Sequence, residues 1–184
     1  MQHQRLAIAD MVLFTPRVFG DDRGFFFESF NERVFAEATG CTARFVQDNH
    51  SRSTRGVLRG LHAQQAPHAQ GKLVRVTQGA VFDVAVDLRR SSATFGRWVG
   101  VELSADNKQQ LWIPPGCAHG FLTLSDSAEF LYKTTDFYAP GSEFCVAWDD
   151  PELAIAWPLD RTGAPQLSAK DQQGLRLQDA PCAP

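Results

Sequence analysis

Val81-Phe82-Asp83-Val84-Ala85-Val86-Asp87-Leu88 has the composition and period of a β-strand. Phe82, Val84, Val86 and Leu88 fall on one face, and Asp83 and Asp87 fall on the other. Similar short runs flank it, punctuated by Gly, Pro, Asn or Asp. Strands are expected over 12–14, 24–29, 44–50, 57–63 and 72–77 on the N-terminal side. On the C-terminal side they are expected over 98–103, 110–113, 120–124, 129–136 and 144–148. One helix is expected: Asn31 can cap it, Val34, Phe35 and Ala38 give it an apolar face, and Gly40 stops it. So many short strands fit a sandwich, jelly roll or small barrel.

The composition agrees. The chain has 184 residues, 43% hydrophobic and 21% charged, which suits one globular domain. It carries 14 Phe against 2 Met, a bias toward pleated surfaces. A net charge of -3 argues against nucleic acid as a partner, while a few local Arg and Lys suffice for a small phosphorylated ligand. Cys41, Cys117, Cys145 and Cys182 have no CxxC spacing, so neither a disulfide scaffold nor a zinc ribbon is expected. Residues 1–10 lack the apolar core of a signal peptide, and no run approaches a membrane span, so a cytoplasmic protein is expected. The tail from about 158 to 184 is Pro-rich and polar and is expected to pack on the barrel or on a partner subunit.

Strand parity places polar groups on inward faces. Tyr132 shares a face with Phe130, opposite Glu129 and Lys133, and His62 shares parity with Leu58 and Gly60. An inward histidine or tyrosine serves equally well as a hydrogen-bonded core residue. After the apolar run Leu111-Trp112-Ile113, the segment Pro114-Pro115-Gly116-Cys117-Ala118-His119 resembles the second cupin motif, Pro-x-Gly-x-x-His. In metal cupins that histidine is a ligand beside a His-x-His pair. Here the matching region is Leu61-His62-Ala63-Gln64-Gln65-Ala66-Pro67-His68, without such a pair, and Thr123 replaces the usual Asn. Catalytic metal sites normally take three protein ligands. The expectation is an all-β, cupin-type jelly-roll barrel with one or a few short peripheral helices and no metal or other cofactor.

Several segments together resemble the dTDP-4-dehydrorhamnose 3,5-epimerase family. They include Asp22-Arg23-Gly24-Phe25-Phe26-Phe27-Glu28, Phe45-Val46-Gln47-Asp48-Asn49-His50-Ser51 and Gly56-Val57-Leu58-Arg59-Gly60-Leu61-His62. Lys72-Leu73-Val74-Arg75-Val76, Val81 to Asp87 and Gln110 to Pro114 follow. Ala118-His119-Gly120-Phe121, Tyr132-Lys133-Thr134-Thr135 and Leu167-Ser168-Ala169-Lys170-Asp171 complete the series, which keeps the family's order from about residue 20 to 172. Ala63, Cys117 and Phe137 depart from the family pattern.

The resemblance implies a cofactor-independent epimerase. It would invert C3 and C5 of dTDP-4-dehydro-6-deoxyglucose on the way to rhamnose, as a homodimer in which strands cross between subunits. It assigns His62 as base, Asp171 as the carboxylate behind it, Tyr132 as acid and Lys72 as holder of the enolate oxygen. It assigns Arg23, Arg59 and Lys170 to the diphosphate, Glu28, Gln47, Asn49 and Glu143 to sugar or base, Tyr138 to base stacking and His119 to the substrate pocket, with Asp83 in support. The chemistry agrees: a C–H beside a ketone needs a base, an enolate stabiliser and, for inversion, an acid on the opposite face. Taken singly, Lys72 also reads as a strand-end lysine, Asp171 as a solvated tail residue and the arginines as surface charges. Three alternatives stay open: a single-carbon epimerase or ketoisomerase, a metal-dependent cupin using His62, His68 and His119, and a non-catalytic sugar-binding cupin.

Overall fold

The computed structural model describes residues 1–8 and 10–182. Its strands are β1 (Gln2–Arg5), β2 (Val12–Thr15), β3 (Phe19–Asp21), β4 (Gly24–Phe26), β5 (Gln47–Thr54), β6 (Leu58–Gln64), β7 (Lys72–Gln78), β8 (Ala80–Asp87), β9 (Trp98–Ser104), β10 (Gln110–Ile113), β11 (Cys117–Thr123), β12 (Ser127–Thr134) and β13 (Glu143–Cys145). A six-stranded sheet runs β1-β2-β10-β7-β12-β5 and a five-stranded sheet runs β13-β6-β11-β8-β9. The two face each other as a jelly roll without joining into one ring, and β3 and β4 form a separate hairpin. The sole α-helix among the described residues, α1 (Glu32–Thr39), has the expected caps: the Asn31 side chain accepts from the Val34 amide, and Gly40 closes it in the left-handed region.

Three apolar layers hold the sheets. Val74, Val76, Leu111, Ile113 and Phe130 of the first sheet meet Val81, Ala85, Leu103 and Phe121 of the second between the sheets. Phe35 and Ala38 of α1 cover Val12, Phe14, Leu73 and Trp112 on the outside of the six-stranded sheet. The C-terminal tail lays Leu153, Trp157, Leu177 and Ala180 over Leu58, Val84, Val86 and Leu122 on the outside of the five-stranded sheet. Strand β8 therefore divides as its alternation requires. Its Phe82, Val84 and Val86 face the tail, and the face carrying Asp83 turns between the sheets.

One parity expectation is overturned. Leu58 turns outward under the tail, whereas His62 lines the space between the sheets. The cause is a shift in the β6–β11 register: His62 pairs with His119 and Arg59 with Phe121, so Gly60 and Leu61 together oppose Gly120. The extra residue reverses the alternation and puts Arg59 and His62 on one face. Gly60 permits this, with φ +122°; a Cβ there would sit 2.6 Å from the Gly120 Cα and 2.8 Å from the His119 carbonyl.

Candidate active site

A cavity of about 430 Å³ opens between the sheets. β6 supplies Arg59 and His62, β11 supplies His119 and β13 supplies Glu143; from the other sheet, β5 supplies Asn49, β7 Lys72 and β12 Tyr132. The tail adds Ser168, Lys170 and Asp171, and the segment after β12 adds Tyr138. All four residues expected to be catalytic are thus brought together.

His62 Nε2 lies 2.8 Å from Asp171 Oδ1. Asp171 is 4% exposed, so it is no solvated tail residue. The Gly60 amide donates to the same oxygen at 3.1 Å, and the Ser168 hydroxyl donates to the other at 2.6 Å. Burial pushes this carboxyl up, but the bonds from His62, Ser168 and Gly60 outweigh it and hold it at about 2, so it stays a carboxylate. The imidazole proton that Asp171 accepts is the one on Nε2, which leaves the lone pair on Nδ1. Nδ1 is buried, has no hydrogen-bond partner among the described residues, and lies 3.5 Å from Glu143 Oε1.

Glu143 anchors a small charged cluster. Lys170 Nζ contacts its Oε2, and the Tyr138 hydroxyl donates to that oxygen at 2.7 Å. Burial raises the Glu143 carboxyl, and the bonds from Lys170 and Tyr138 more than reverse this, holding it low. Lys72 is buried and donates to the His62 carbonyl at 3.2 Å. Burial pulls its amine down to about 8, partly offset by the Glu143 and Asp83 carboxylates. The Tyr132 phenol is pushed up by burial and then by Glu143, so it is a proton donor at neutral pH. His119 Nε2 is 2.9 Å from Asp83 Oδ2, both buried, and its ring stacks 5.8 Å from Phe130.

Of the residues expected to bind substrate, Asn49, Arg59, His119, Tyr138, Glu143 and Lys170 line the cavity. Arg59 is oriented by bonds to the Ser53 hydroxyl at 3.0 Å and the Arg52 carbonyl at 3.3 Å. Gln47 sits just behind the wall: it donates to Asn49 Oδ1 at 2.9 Å and accepts from the Tyr138 amide at 3.0 Å. Arg23 and Glu28 lie outside the cavity. Arg23 is on the exposed β3–β4 turn and pairs with Asp21, and the exposed Glu28 accepts from Asn31. His68, the third histidine of the metal alternative, also lies off the wall and pairs with Asp136 at the exposed surface.

Sequence reasoning passed over three residues. Ser168 steadies Asp171 and takes the Asp171 amide in return at 3.2 Å, a Ser-x-x-Asp turn readable from spacing. Gln64 holds the Tyr138 segment through the Phe137 carbonyl at 3.2 Å and the Ala139 amide at 2.9 Å. Cys145 pairs with His62 across β13 and β6, a neighbour that no motif announces. Burial pushes its thiol up to about 12, so it stays an S–H in the resting site.

Known proteins resemble this chain over nearly its whole length. The family described as dTDP-4-dehydrorhamnose 3,5-epimerase matches residues 5–179. The dTDP-4-dehydrorhamnose 3,5-epimerase of Pseudomonas aeruginosa is 67% identical over 184 residues, covering 100% of both chains. A dTDP-4-dehydrorhamnose 3-epimerase of Streptomyces niveus is 42% identical, covering 98% of this chain and 86% of that protein. The crystal structure of a dTDP-6-deoxy-D-glucose-3,5-epimerase from Legionella pneumophila, in complex with dTDP-4-keto-L-rhamnose, superposes with a TM-score of 0.92 at 52% identity, covering 97% of this chain and 93% of that one. With its fold, its sequence from residue 5 to 179 and its relatives all in agreement, this chain belongs to the dTDP-4-dehydrorhamnose 3,5-epimerase family and is an isomerase.

Proposed function

We propose that this enzyme inverts C3 and C5 of dTDP-4-dehydro-6-deoxyglucose, giving dTDP-4-dehydrorhamnose for rhamnose synthesis. The observation that carries the reading is the His62–Asp171 pair in a cavity whose opposite sheet presents the protonated phenol of Tyr132. His62 Nδ1 takes the proton beside the ketone, and Asp171 stabilises the imidazolium. The ammonium of Lys72 balances the charge on the enolate oxygen. Tyr132 returns a proton to the far face. The Glu143 carboxylate covers Nδ1 and must turn aside first. A diphosphate that takes Lys170 would loosen its anchor. His119, oriented by Asp83, lines the substrate side of the pocket.

Mixing enzyme and the 4-keto sugar nucleotide in deuterated water tests this by NMR. Label at both carbons is expected, and His62→Ala should lose exchange at both by at least about a hundredfold. A folded His62→Ala variant with near-normal exchange would overturn the assignment. The 3-epimerase relative supports a second reading, in which only C3 is inverted; label at C3 alone would establish it.

We further propose one jelly-roll domain working as a cytoplasmic homodimer. Among the described residues no helix is long and apolar enough to cross a membrane. The β3–β4 hairpin is exposed, with Phe19, Phe25 and Phe26 each more than half accessible, an apolar patch that calls for a cover. Arg23 and Glu28 beside it reach a nucleotide only if the hairpin serves a second subunit. Light scattering that returns a monomer at micromolar concentration would refute the dimer and those two assignments together.

A further inference from the structure

We propose that His62 Nε2, Cys145 Sγ and a carboxylate oxygen of Asp171 form an inhibitory binding site for a thiophilic divalent cation, zinc foremost. A ring nitrogen of His62, Cys145 Sγ and a carboxylate oxygen of Asp171 lie within 4.8 Å of one another, and Nε2 is the nitrogen in contact with Asp171, at 2.8 Å. Tetrahedral zinc bound by nitrogen, oxygen and sulfur holds its ligand atoms roughly 3.3–3.7 Å apart. The cluster therefore needs only a small inward turn of the thiol and a slight opening of the 2.8 Å His62–Asp171 contact. The frame is rigid: Cys145 and His62 are directly paired on antiparallel strands, and Asp171 is tied to Ser168 and Gly60.

The charges match. A thiolate, a carboxylate and a neutral imidazole neutralise a doubly charged ion, and a water molecule can fill a fourth position. As the cation binds, the thiol releases one proton to solvent, and the imidazole proton on Nε2 moves to Nδ1, where Glu143 Oε1 lies 3.5 Å away. The lone pair that serves as base is then gone, so an ion held here blocks proton abstraction. This set shares only His62 with the metal alternative drawn from the sequence, and Cys145 has no part in the proposed reaction. Nitrogen and sulfur donors favour zinc, cobalt or copper over magnesium or calcium.

Cobalt(II) added to the purified full-length protein without substrate tests binding independently of the epimerase assignment. One equivalent is expected to give thiolate-to-cobalt charge-transfer absorption, and Cys145→Ala should abolish it. In the deuterium-exchange assay, stoichiometric zinc should stop exchange and a chelator restore it. Cys145→Ala should keep the basal exchange and need at least about tenfold more zinc for equal inhibition. Cys145→Ser serves should the alanine variant fold poorly. Absence of the charge-transfer band in the parent protein, or an unchanged band and unchanged zinc sensitivity in a folded variant, overturns the proposal.

Discussion

Replacing Tyr132 by Phe separates its chemical role from its packing role. The side chain is half-buried, its ring lies 6.1 Å from that of Phe130, and its hydroxyl makes no hydrogen bond to another described residue. Removing that hydroxyl therefore breaks no internal bond, and the stability change should stay below about 1 kcal/mol. A general acid, by contrast, is worth about 10²–10⁴ in rate, or roughly 3–5 kcal/mol of barrier. A change several times larger in activity than in stability is expected, and it should be selective. His62 and Asp171 are untouched, so the substrate should still exchange its proton for deuterium, returned from the original face. Inverted product should fall at least about a hundredfold. NMR on a single sample reads both quantities, and a thermal melt reads the third. Exchange and inversion that survive together would remove Tyr132 from the mechanism.

Asp171→Asn should keep the fold, because Ser168 and Gly60 can still bond an amide, yet lower exchange by at least about a hundredfold; near-parental exchange would show that the carboxylate is dispensable. Lys72→Met should lose activity while gaining as much as about 3 kcal/mol of stability near pH 7. The folded pKa of about 8 lies below the usual 10.5, so the buried ammonium costs stability below pH 8, and that cost fades as pH rises from 8 to 10.5. Chemical melts at pH 7 and pH 10 should therefore show the gain shrinking, and a constant gain would refute the burial argument. Gly60→Ala should lower the melting temperature sharply, by about 2–4 kcal/mol of stability, because its Cβ would meet immovable backbone of Gly120 and His119; an unchanged melt would mean the strands can part there.

Much of this was legible in the chain. The helix could be placed because Asn31 and Gly40 mark its ends chemically. Strands with two apolar faces, such as β7 and β8, announced themselves. Edge strands did not: β1, Gln-His-Gln-Arg, is exposed throughout and has no apolar alternation. β5 runs on through Ser51-Arg52-Ser53-Thr54, which reads as loop, and it lies at the edge of its sheet. Conversely, the strand expected over 144–148 stops at Cys145, where the chain leaves the sheet to cross its outer face. His62 was found on the right side by the wrong route, since period-two counting has no means of sensing the extra residue at Gly60 and Leu61. Asp171 shows the deeper limit. Nothing local distinguishes it from any tail aspartate; its partners Gly60 and His62 lie more than 100 positions earlier, and only the resemblance to a family pointed to it.

That long separation sets the order in which the protein matures during synthesis. His62 and Tyr132, the proposed base and acid, leave the ribosome well before Asp171, the carboxylate proposed to complete the base. A chain ending after β13 would own every strand of both sheets. It would still leave Leu58, Val84, Val86 and Leu122 uncovered, because the residues that shield them arrive later on the segment that also carries Asp171. Shielding and competence therefore come in one delivery. A message cut short near its 3′ end yields a polypeptide with a bare apolar face and no Asp171 beside His62, one that quality control can recognise by its stickiness and that, on the proposed mechanism, lacks a complete base.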